Sequence, residues 1–286
     1  MPAHSLQERS IISVSRRSDI PAFFGEWFLQ SVRQGYAELQ HPFHHRKLRI
    51  SLKPEQVAAF VFWSKNYQPF LDVLDSIKDL YQGRFLFHFT INGFTGSAKT
   101  LLEPRVPSEE VVLETVAHLA NNFGAETVIW RFDPIFFSNL TPPEERLASF
   151  ARLAEALRNK VQSCYISLLD LYSKVRRRLQ QAPIKQQLRL YLLEEQELWS
   201  IMKSLRQIAD GYGMPIFTCC ENRLAEAVGF NKGHCIDSRL LQKLYPAIEF
   251  TQQISPTRPE CGCYASIDIG SYHTCQHHCL YCYANK

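Results

Sequence analysis

Apolar residues occur along the chain in short continuous runs, separated by longer stretches that carry a regular polar face. Unbroken apolar runs are typical of strands buried on both faces of a parallel sheet, and residues 58–63 and 85–91 are the clearest examples. Each run ends at polar residues or at glycine, as a strand does where a loop begins. The predicted strands are residues 11–14, 58–63, 85–91, 127–132, 163–169, 215–218 and 265–269, with a minor strand at 48–52.

Most of the intervening stretches have helical periodicity. Val112, Val116, Leu119 and Phe123 fall on one face of a helix that Gly124 ends, because residues three or four apart share a helix face. The predicted helices are residues 22–34, 68–81 and 108–123, one that starts within residues 141–144 with Thr141 as its cap, a long helical region up to 212 that breaks near Pro183, and short helices near Leu224 and Leu240.

The alternation of strands and helices predicts the fold class. Such alternation implies βαβ units and a parallel sheet, and right-handed crossovers repeated seven or eight times roll the sheet into a barrel. We therefore predict an α/β fold in which residues 1–286 form one domain, a parallel (β/α) barrel of the TIM type, complete or partial. An open doubly wound sheet is the alternative, although no Gly-rich dinucleotide fingerprint follows the first strand.

Polar side chains follow the carboxyl ends of the predicted strands, where βα barrels build their active sites. These residues are Arg16, Arg17, Ser18, Asp19, Lys65, Asn66, Asn92, Arg131, Asp133, Asp170, Glu221 and Asn222. Loops are polar in any protein, so solvation alone is the alternative explanation. Arg131 and Asp133 stand out because their neighbours are strongly apolar, and a charge there is costly unless it is paired or bound to a ligand. An Arg fork suits a carboxylate, and Lys65, Arg131 and Asp133 are the candidate catalytic residues that would orient the reactants.

Composition and charge limit the partners and the location of the protein. A hydrophobic content of 45% suffices for a packed core, and a formal net charge of +4 permits a nucleic-acid partner without requiring one. The basic run at residues 174–178 is predicted to be a solvated helix face. No apolar run approaches the ~20 residues of a membrane span. Nine Cys without a signal peptide predict reduced thiols that act as ligands in the cytoplasm.

Three of the cysteines lie close together in the predicted loop at residues 270–286. Cys275, Cys279 and Cys282 are separated by three residues and then by two, so one loop offers three thiolates to a single inorganic centre. A [4Fe–4S] cluster is held by Cys thiolates, and three ligands leave one iron open to another molecule. The alternative is a zinc site, because His273, His277 and His278 lie among these thiols.

The loop resembles the cluster loop of radical S-adenosylmethionine (SAM) enzymes. The run CQHHCLYCYA at residues 275–284 is most similar to the branch that contains spore photoproduct lyase. From residue 11 onward the chain also resembles a bacterial family described as domain of unknown function 1848, which carries this loop at its C-terminus. The resemblance implies that the loop holds a [4Fe–4S] cluster that chelates SAM and cleaves it reductively to a 5′-deoxyadenosyl radical, which then abstracts hydrogen from a substrate.

The resemblance also implies which residues bind the cofactor. The cluster strand comes first in radical SAM barrels but last here, so it must pair beside the N-terminal strand in a circularly permuted order. On that mapping Ser18 and Asp19 replace the methionine-binding segment, and Lys65, Asn66 and Arg131 look like the lysine and arginine-proline segments of the spore photoproduct lyase branch. The family's Gly-Gly-Glu segment is missing, and Asp19 would accept from the SAM ammonium in its place.

A second group of cysteines stands apart from the loop. Cys219, Cys235, Cys261 and Cys263 could close a second site, either an auxiliary iron–sulfur cluster or a tetrahedral zinc ion. The alternative for Cys219, Cys220 and Cys235 is that they are small buried hydrophobic residues, as Cys164 is expected to be.

Two other functional classes remain open at this stage. One is a non-catalytic iron–sulfur or zinc protein, and the other is a nucleic-acid repair or modification enzyme related to spore photoproduct lyase. The radical SAM interpretation further implies an electron donor such as flavodoxin or ferredoxin, while neither composition nor motif identifies the substrate.

Overall fold

The described part of the protein is built on one parallel sheet. The computed structural model describes residues 9–40 and 47–285; the other residues of the predicted domain, and Lys286 of the predicted loop, lie outside this part. The strands are β1 (Ser10–Val14), β2 (Tyr36–Gln40), β3 (Lys47–Ser51), β4 (Val57–Ser64), β5 (Phe85–Thr90), β6 (Val128–Ile135), β7 (Ser163–Leu168), β8 (Ile216–Thr218), β9 (Asn231–Lys232) and β10 (Ile267–Asp268).

Eight of these strands form the main sheet in the order β10-β1-β4-β5-β6-β7-β8-β9, and every neighbouring pair is parallel. The predicted α/β class and parallel sheet are therefore confirmed. A complete barrel is wrong for the described residues, because β9 and β10 are unjoined edges of the sheet. Each edge strand has two residues, and strands this short offer few backbone groups for closing a barrel.

The last strand lies beside the first. Ile12 pairs with Ile267 and Ser13 with Asp268, which is the neighbour relation that the permuted order requires. The loop that follows β10 consequently leaves the sheet at the edge where the loops after β1 and β4 also emerge.

Helices connect the strands, as predicted. They are α1 (Ile20–Phe23), α2 (Gly25–Gln34), α3 (Leu71–Ile77), α4 (Gly96–Leu102), α5 (Glu109–Phe123), α6 (Pro143–Leu157), α7 (Ser173–Leu179), α8 (Ala182–Gln187), α9 (Glu195–Gly211), α10 (Asn222–Val228) and α11 (Ser238–Leu244). The predicted helix at 68–81 ends early, at Ile77, because Gln82 and Gly83 adopt positive φ angles of 55° and 62° and turn the chain into β5. The long helical region is three helices, and Pro183 stands in the first turn of α8.

The sheet is buried on both faces, which explains why its strands read as unbroken apolar runs. Phe60, Phe62, Phe87 and Trp130 pack against the helices on one face. The alternate residues of the same strands face the segment 235–264 on the other side. That segment occupies the face that a complete barrel would enclose.

Two short strands were not predicted. β2 and β3 form a separate antiparallel pair, of which the sequence analysis identified β3 alone, and β9 extends the main sheet by two residues. Within the described residues, no helix has both the length and the apolar character needed to cross a membrane.

Candidate functional site

The cysteine loop lies where several strands of the sheet end. Asp268, at the end of β10, holds the cysteine loop in this position. Its carboxylate accepts hydrogen bonds from Ser13 Oγ at 2.8 Å and Ser15 Oγ at 2.7 Å. It also accepts from the backbone N–H groups of Arg16 at 2.8 Å and Gly270 at 3.0 Å. Asp268 therefore fixes the start of the cysteine loop against the loop that follows β1. Asp268 was not among the predicted site residues, although a carboxylate between Ile267 and Ile269 in the predicted strand was the available signal of burial.

Asp19 anchors the middle of the cysteine loop. Its carboxylate accepts from Ser64 Oγ at 2.6 Å and from the backbone N–H groups of Lys65 at 2.9 Å and Ala22 at 3.0 Å. The Nε2 atom of His277, a residue between Cys275 and Cys279, lies 2.9 Å from the same carboxylate. Asp19 is thus engaged by protein donors, and the predicted contact with a SAM ammonium remains a prediction.

The other predicted cofactor-binding residues have local partners. Ser18 Oγ accepts a hydrogen bond from Thr274 Oγ1 at 2.7 Å, which joins it to the cysteine loop. Asn66 Oδ1 accepts from the backbone N–H of Gln68 at 3.1 Å. Ser18 therefore lies at the loop, whereas Asn66 shapes the turn that follows β4.

A buried ion pair lies next to the loop. Lys65 Nζ donates to Glu103 at 2.7 Å, and Glu103 also accepts from Asn92 Nδ2 at 3.1 Å and from the Tyr281 hydroxyl. Burial lowers the pKa of Lys65, but the negative charges of Glu103 and Cys279 raise it by more, so the pKa lies above its usual value. Burial would raise the pKa of Glu103, yet the Lys65 ammonium holds that pKa below its usual value. Both groups are therefore ionised at neutral pH.

Glu103 and Tyr281 were not predicted as site residues. Glu103 is 3% exposed and follows α4, a helix that the sequence analysis did not identify. A carboxylate directly after the apolar pair at residues 101–102 was the available signal. Tyr281 belongs to the cysteine motif, and its hydroxyl donates a hydrogen bond to Glu103 of the ion pair.

Arg131 and Asp133 form the ion pair that their apolar surroundings suggested. Arg131 Nε donates to Asp133 Oδ2 at 3.1 Å, while its Nη1 lies 3.2 Å from the sulfur of Cys235. Burial opposes the charge of both groups, but their mutual attraction raises the pKa of Arg131 well above its usual value and lowers that of Asp133. Ser167 donates to the second oxygen of Asp133. The predicted contact of Arg131 with a ligand carboxylate remains a prediction.

Arg178 connects α7 to the cysteine loop. Its guanidinium donates to the carbonyl oxygens of Cys279 at 3.2 Å and Leu280 at 2.8 Å, and to that of Cys282. The prediction of a solvated helix face for the basic run is wrong at this residue. A run of similar charges does not indicate which member faces inward; the phase of the helix decides that.

Replacing Arg178 with Ala should loosen the loop. Hydrogen bonds to a charged group contribute about 1.5–3 kcal/mol each when buried, and partial exposure reduces that contribution. We expect a loss of about 1.5 kcal/mol in local stability, which is roughly a tenfold faster amide exchange at Cys282. The control is Arg176→Ala, which removes an exposed cation from the same helix. Unchanged exchange in Arg178→Ala would show that these contacts do not hold the loop.

The three thiols of the loop differ in burial. Cys279 is 5% exposed and packs among Phe94, Leu102 and Tyr281, while Cys275 and Cys282 are half-buried. Burial raises the pKa of Cys275 to about 11 and that of Cys279 well above its usual value, and nearby Lys65 opposes the rise at Cys279. Negative charge on Cys282 or Cys275 raises the pKa of Cys279 further.

The loop fits a cluster by the chemistry of its donors, because iron–sulfur clusters are held by Cys thiolates and this one loop supplies three thiols. Across residues 9–40 and 47–285, however, no three His, Cys, Asp or Glu side chains are grouped so that they could hold a metal ion as they stand. The assignment of Cys275, Cys279 and Cys282 as ligands therefore remains a prediction. The other predicted metal-binding set, Cys219, Cys235, Cys261 and Cys263, lies in a different buried cluster from Cys279, and Cys235 contacts Arg131.

Comparison with solved structures found a distant similarity to SuiB of Streptococcus suis. SuiB bound to S-adenosylmethionine matches with 10% sequence identity and a TM-score of 0.38, over 86% of this chain and 54% of that one. SuiB bound to the precursor peptide SuiA matches with 11% identity and a TM-score of 0.38. The chain thus spans about half the length of these proteins. A search of curated proteins found no match.

The family comparison covers almost the whole chain. Residues 11–284 match the family described as domain of unknown function DUF1848. The match includes the sheet, the polar residues at its carboxyl edge and the cysteine loop. The chain belongs to the DUF1848 family.

Proposed function

We propose that this protein is a radical SAM-type enzyme whose [4Fe–4S] cluster is held by Cys275, Cys279 and Cys282. The observation that carries the proposal is the placement of a three-thiol loop at the carboxyl edge of a parallel sheet. Asp268, Asp19 and Arg178 hold that loop at its start, middle and end. Parallel α/β proteins build their active sites at this edge.

The polar residues at this edge would hold the reactants and keep the loop in place. Asp19, through His277, sets the position of the segment between the first two thiols. Lys65, Arg131 and Asp133 are proposed to orient SAM and the substrate, with Ser18 and Asn66 beside them. The Lys65 ammonium opposes the rise that burial causes in the pKa of Cys279, and metal ligation requires the thiolate.

The proposed cofactor supplies the difficult chemistry, while the protein supplies orientation and exclusion of water. A cluster held by Cys275, Cys279 and Cys282 would supply one electron to the SAM sulfonium, and cleavage of its C–S bond would release methionine and leave the 5′-deoxyadenosyl radical that starts chemistry on the substrate. The electron would come from a small donor such as flavodoxin or ferredoxin. The aromatic and aliphatic residues around Cys279 would limit the access of water to the cluster.

Anaerobic reconstitution of the full chain with iron and sulfide tests this function. The expected result is a brown protein with about four irons per chain, which after reduction in the presence of SAM releases 5′-deoxyadenosine. Zinc at the loop, with no visible absorption, would instead favour a non-catalytic metal protein. A cluster that binds but never cleaves SAM would leave an iron–sulfur binding protein.

A basic cavity beside the loop favours a second candidate, an enzyme that repairs or modifies nucleic acid. Its volume is about 400 Å³, and Lys174, Arg177 and His273 contribute to its lining. The Lys174 ammonium also lies 5.8 Å from the ring centre of Tyr272, a combination of charge and aromatic surface that suits nucleotides. Affinity for DNA or RNA that falls steeply with salt would support this candidate, and the absence of any binding at low salt would remove it.

A further inference from the structure

We propose that Cys219, Cys235, Cys261 and Cys263 bind a single zinc ion in a tetrahedral site that is separate from the cysteine loop. The four residues come from three segments that are distant in sequence. Cys219 follows β8, Cys235 follows β9, and Cys261 and Cys263 precede β10. All four thiols are between 4% and 9% exposed. This site does not depend on the proposed radical SAM function.

Two of the sulfur atoms are in direct contact: those of Cys219 and Cys235 lie 3.1 Å apart. Cys261 and Cys263 belong to the same buried cluster as this pair, and Cys263 is close enough to Cys235 to affect the pKa of its thiol. Hydrogen bonding between the four free thiols stabilises this group little, because S–H is a weak donor and sulfur a weak acceptor.

The spacing favours one ion over a cluster. Zinc binds thiolates at about 2.3 Å in a tetrahedron, which places the sulfurs about 3.8 Å from each other. The four ligands of a [4Fe–4S] cluster are bound to different irons and cannot touch. The contact between the sulfurs of Cys219 and Cys235 therefore matches the smaller centre.

The four thiols must move closer together for an ion to bind, since the described residues contain no group of three or more His, Cys, Asp or Glu side chains that could hold an ion as it stands. Closure requires Cys261 to approach Cys219. The loop that carries Cys261 already reaches this neighbour: Arg258 donates to the carbonyl oxygen of Cys219 at 3.2 Å, and its Nη2 lies 3.9 Å from the Cys219 sulfur. A rotation of side chains within this loop would complete the site.

Two cations match the charge of the proposed site. Four thiolates around a divalent zinc ion carry a net charge of −2, and burying this charge is costly without compensation. Arg131 Nη1 lies 3.2 Å from the Cys235 sulfur, and Arg258 lies beside Cys219. The backbone N–H of Ile236 lies 3.4 Å from the Cys263 sulfur and would orient that ligand, as outer hydrogen bonds do in metal sites.

The turn between Cys261 and Cys263 is shaped for close approach. A Cβ atom added at Gly262 would lie 2.6 Å from the His234 ring, whose Nδ1 contacts the Gly262 carbonyl oxygen. Glycine at this position therefore allows the turn to pack against the residue that precedes Cys235. The ion would join this turn to the edge of the sheet, where β8 and β9 are short and provide few backbone hydrogen bonds of their own.

Metal analysis of the full chain tests the site. We expect about one zinc per chain with four sulfur neighbours at about 2.3 Å by X-ray absorption at the zinc edge, a measurement that needs no variant. Cys235→Ser and Cys263→Ser should lose zinc and retain the capacity of the loop to bind iron. Cys164→Ala is the matched control and should retain zinc, because Cys164 is buried in β7 and belongs to a different cluster of the core.

Three results would overturn the zinc assignment. One is a wild-type chain that binds no zinc when it is expressed with zinc present. Another is iron and sulfide that remain bound at this group when Cys275, Cys279 and Cys282 are all replaced by Ala. The last is a disulfide between Cys219 and Cys235 in the folded protein, detected as a mass that is lower by two hydrogen atoms. Failure of the loop to bind iron would leave the zinc site unaffected and would contradict the proposed function alone.

Discussion

Cys279→Ala is expected to abolish both iron retention and 5′-deoxyadenosine formation. Cys279 is the most deeply buried of the three loop thiols, and a cluster that loses one of three protein ligands loses its attachment at that iron. Rates should fall to the uncatalysed background, a loss on the order of 10⁶-fold or more for a typical enzyme. Iron analysis, absorption spectra and product assays on the same reconstituted samples measure the effect.

The matched control for this variant is Cys164→Ala. Cys164 lies in β7, is fully buried and belongs to the apolar core, so its removal deletes the same atoms from a similar environment. Both variants should fold, with a modest loss of stability from the lost packing. If Cys279→Ala kept wild-type iron and product yield, Cys279 would not be a ligand and the proposed function would lose its basis.

Asp268→Ala is expected to destabilise the whole fold by about 3–5 kcal/mol. Its carboxylate is 3% exposed and lies near the guanidinium groups of Arg16 and Arg17, with Nε–O distances of 3.6 and 3.9 Å. The variant leaves the hydroxyl groups of Ser13 and Ser15 without their acceptor in a buried place, and an unsatisfied buried donor costs about 1–3 kcal/mol. Urea denaturation, followed by circular dichroism, would show a lower midpoint with an unchanged slope.

Two further variants separate the causes of this effect. Asp268→Asn keeps the shape of the side chain and one acceptor oxygen, so its loss should be smaller. Asp75→Ala removes an exposed carboxylate from α3 and should change the free energy of unfolding by less than about 0.5 kcal/mol. Should Asp268→Ala unfold like Asp75→Ala, the junction between β1 and β10 would contribute little to stability.

The parallel strands could be predicted from the sequence because both faces of the sheet are buried. Strands β4, β5 and β6 consist mainly of apolar residues, and this composition is visible without knowledge of the partners. Strand β9 escaped notice since two residues carry no periodicity. Helix α4 also went unrecognised, and with it Glu103, whose buried contact to Lys65 depends on where that helix ends.

The residues of the candidate site likewise divide into those that could be predicted from the sequence and those that could not. The apolar neighbours of Arg131 and Asp133 revealed that their charges are buried, and the structure pairs them with each other. The role of Arg178 was not visible, because the sequence contains three consecutive arginines and the helix turns one of them towards the loop carbonyls. Asp19 was recognised as important, but its partners, His277 among them, come from elements that are distant in the chain.

The sequence by itself determined the α/β class, the parallel strands and the clustering of three cysteines in one loop, because burial and short spacing leave marks in local residue order. The tertiary structure alone decided that the sheet of the described residues stays open, that Asp268 and Arg178 hold the loop, and that Cys235 lies against Arg131. Those outcomes depend on contacts between residues far apart in the chain, whose pairing is set by strand order and helix phase rather than by neighbouring residues.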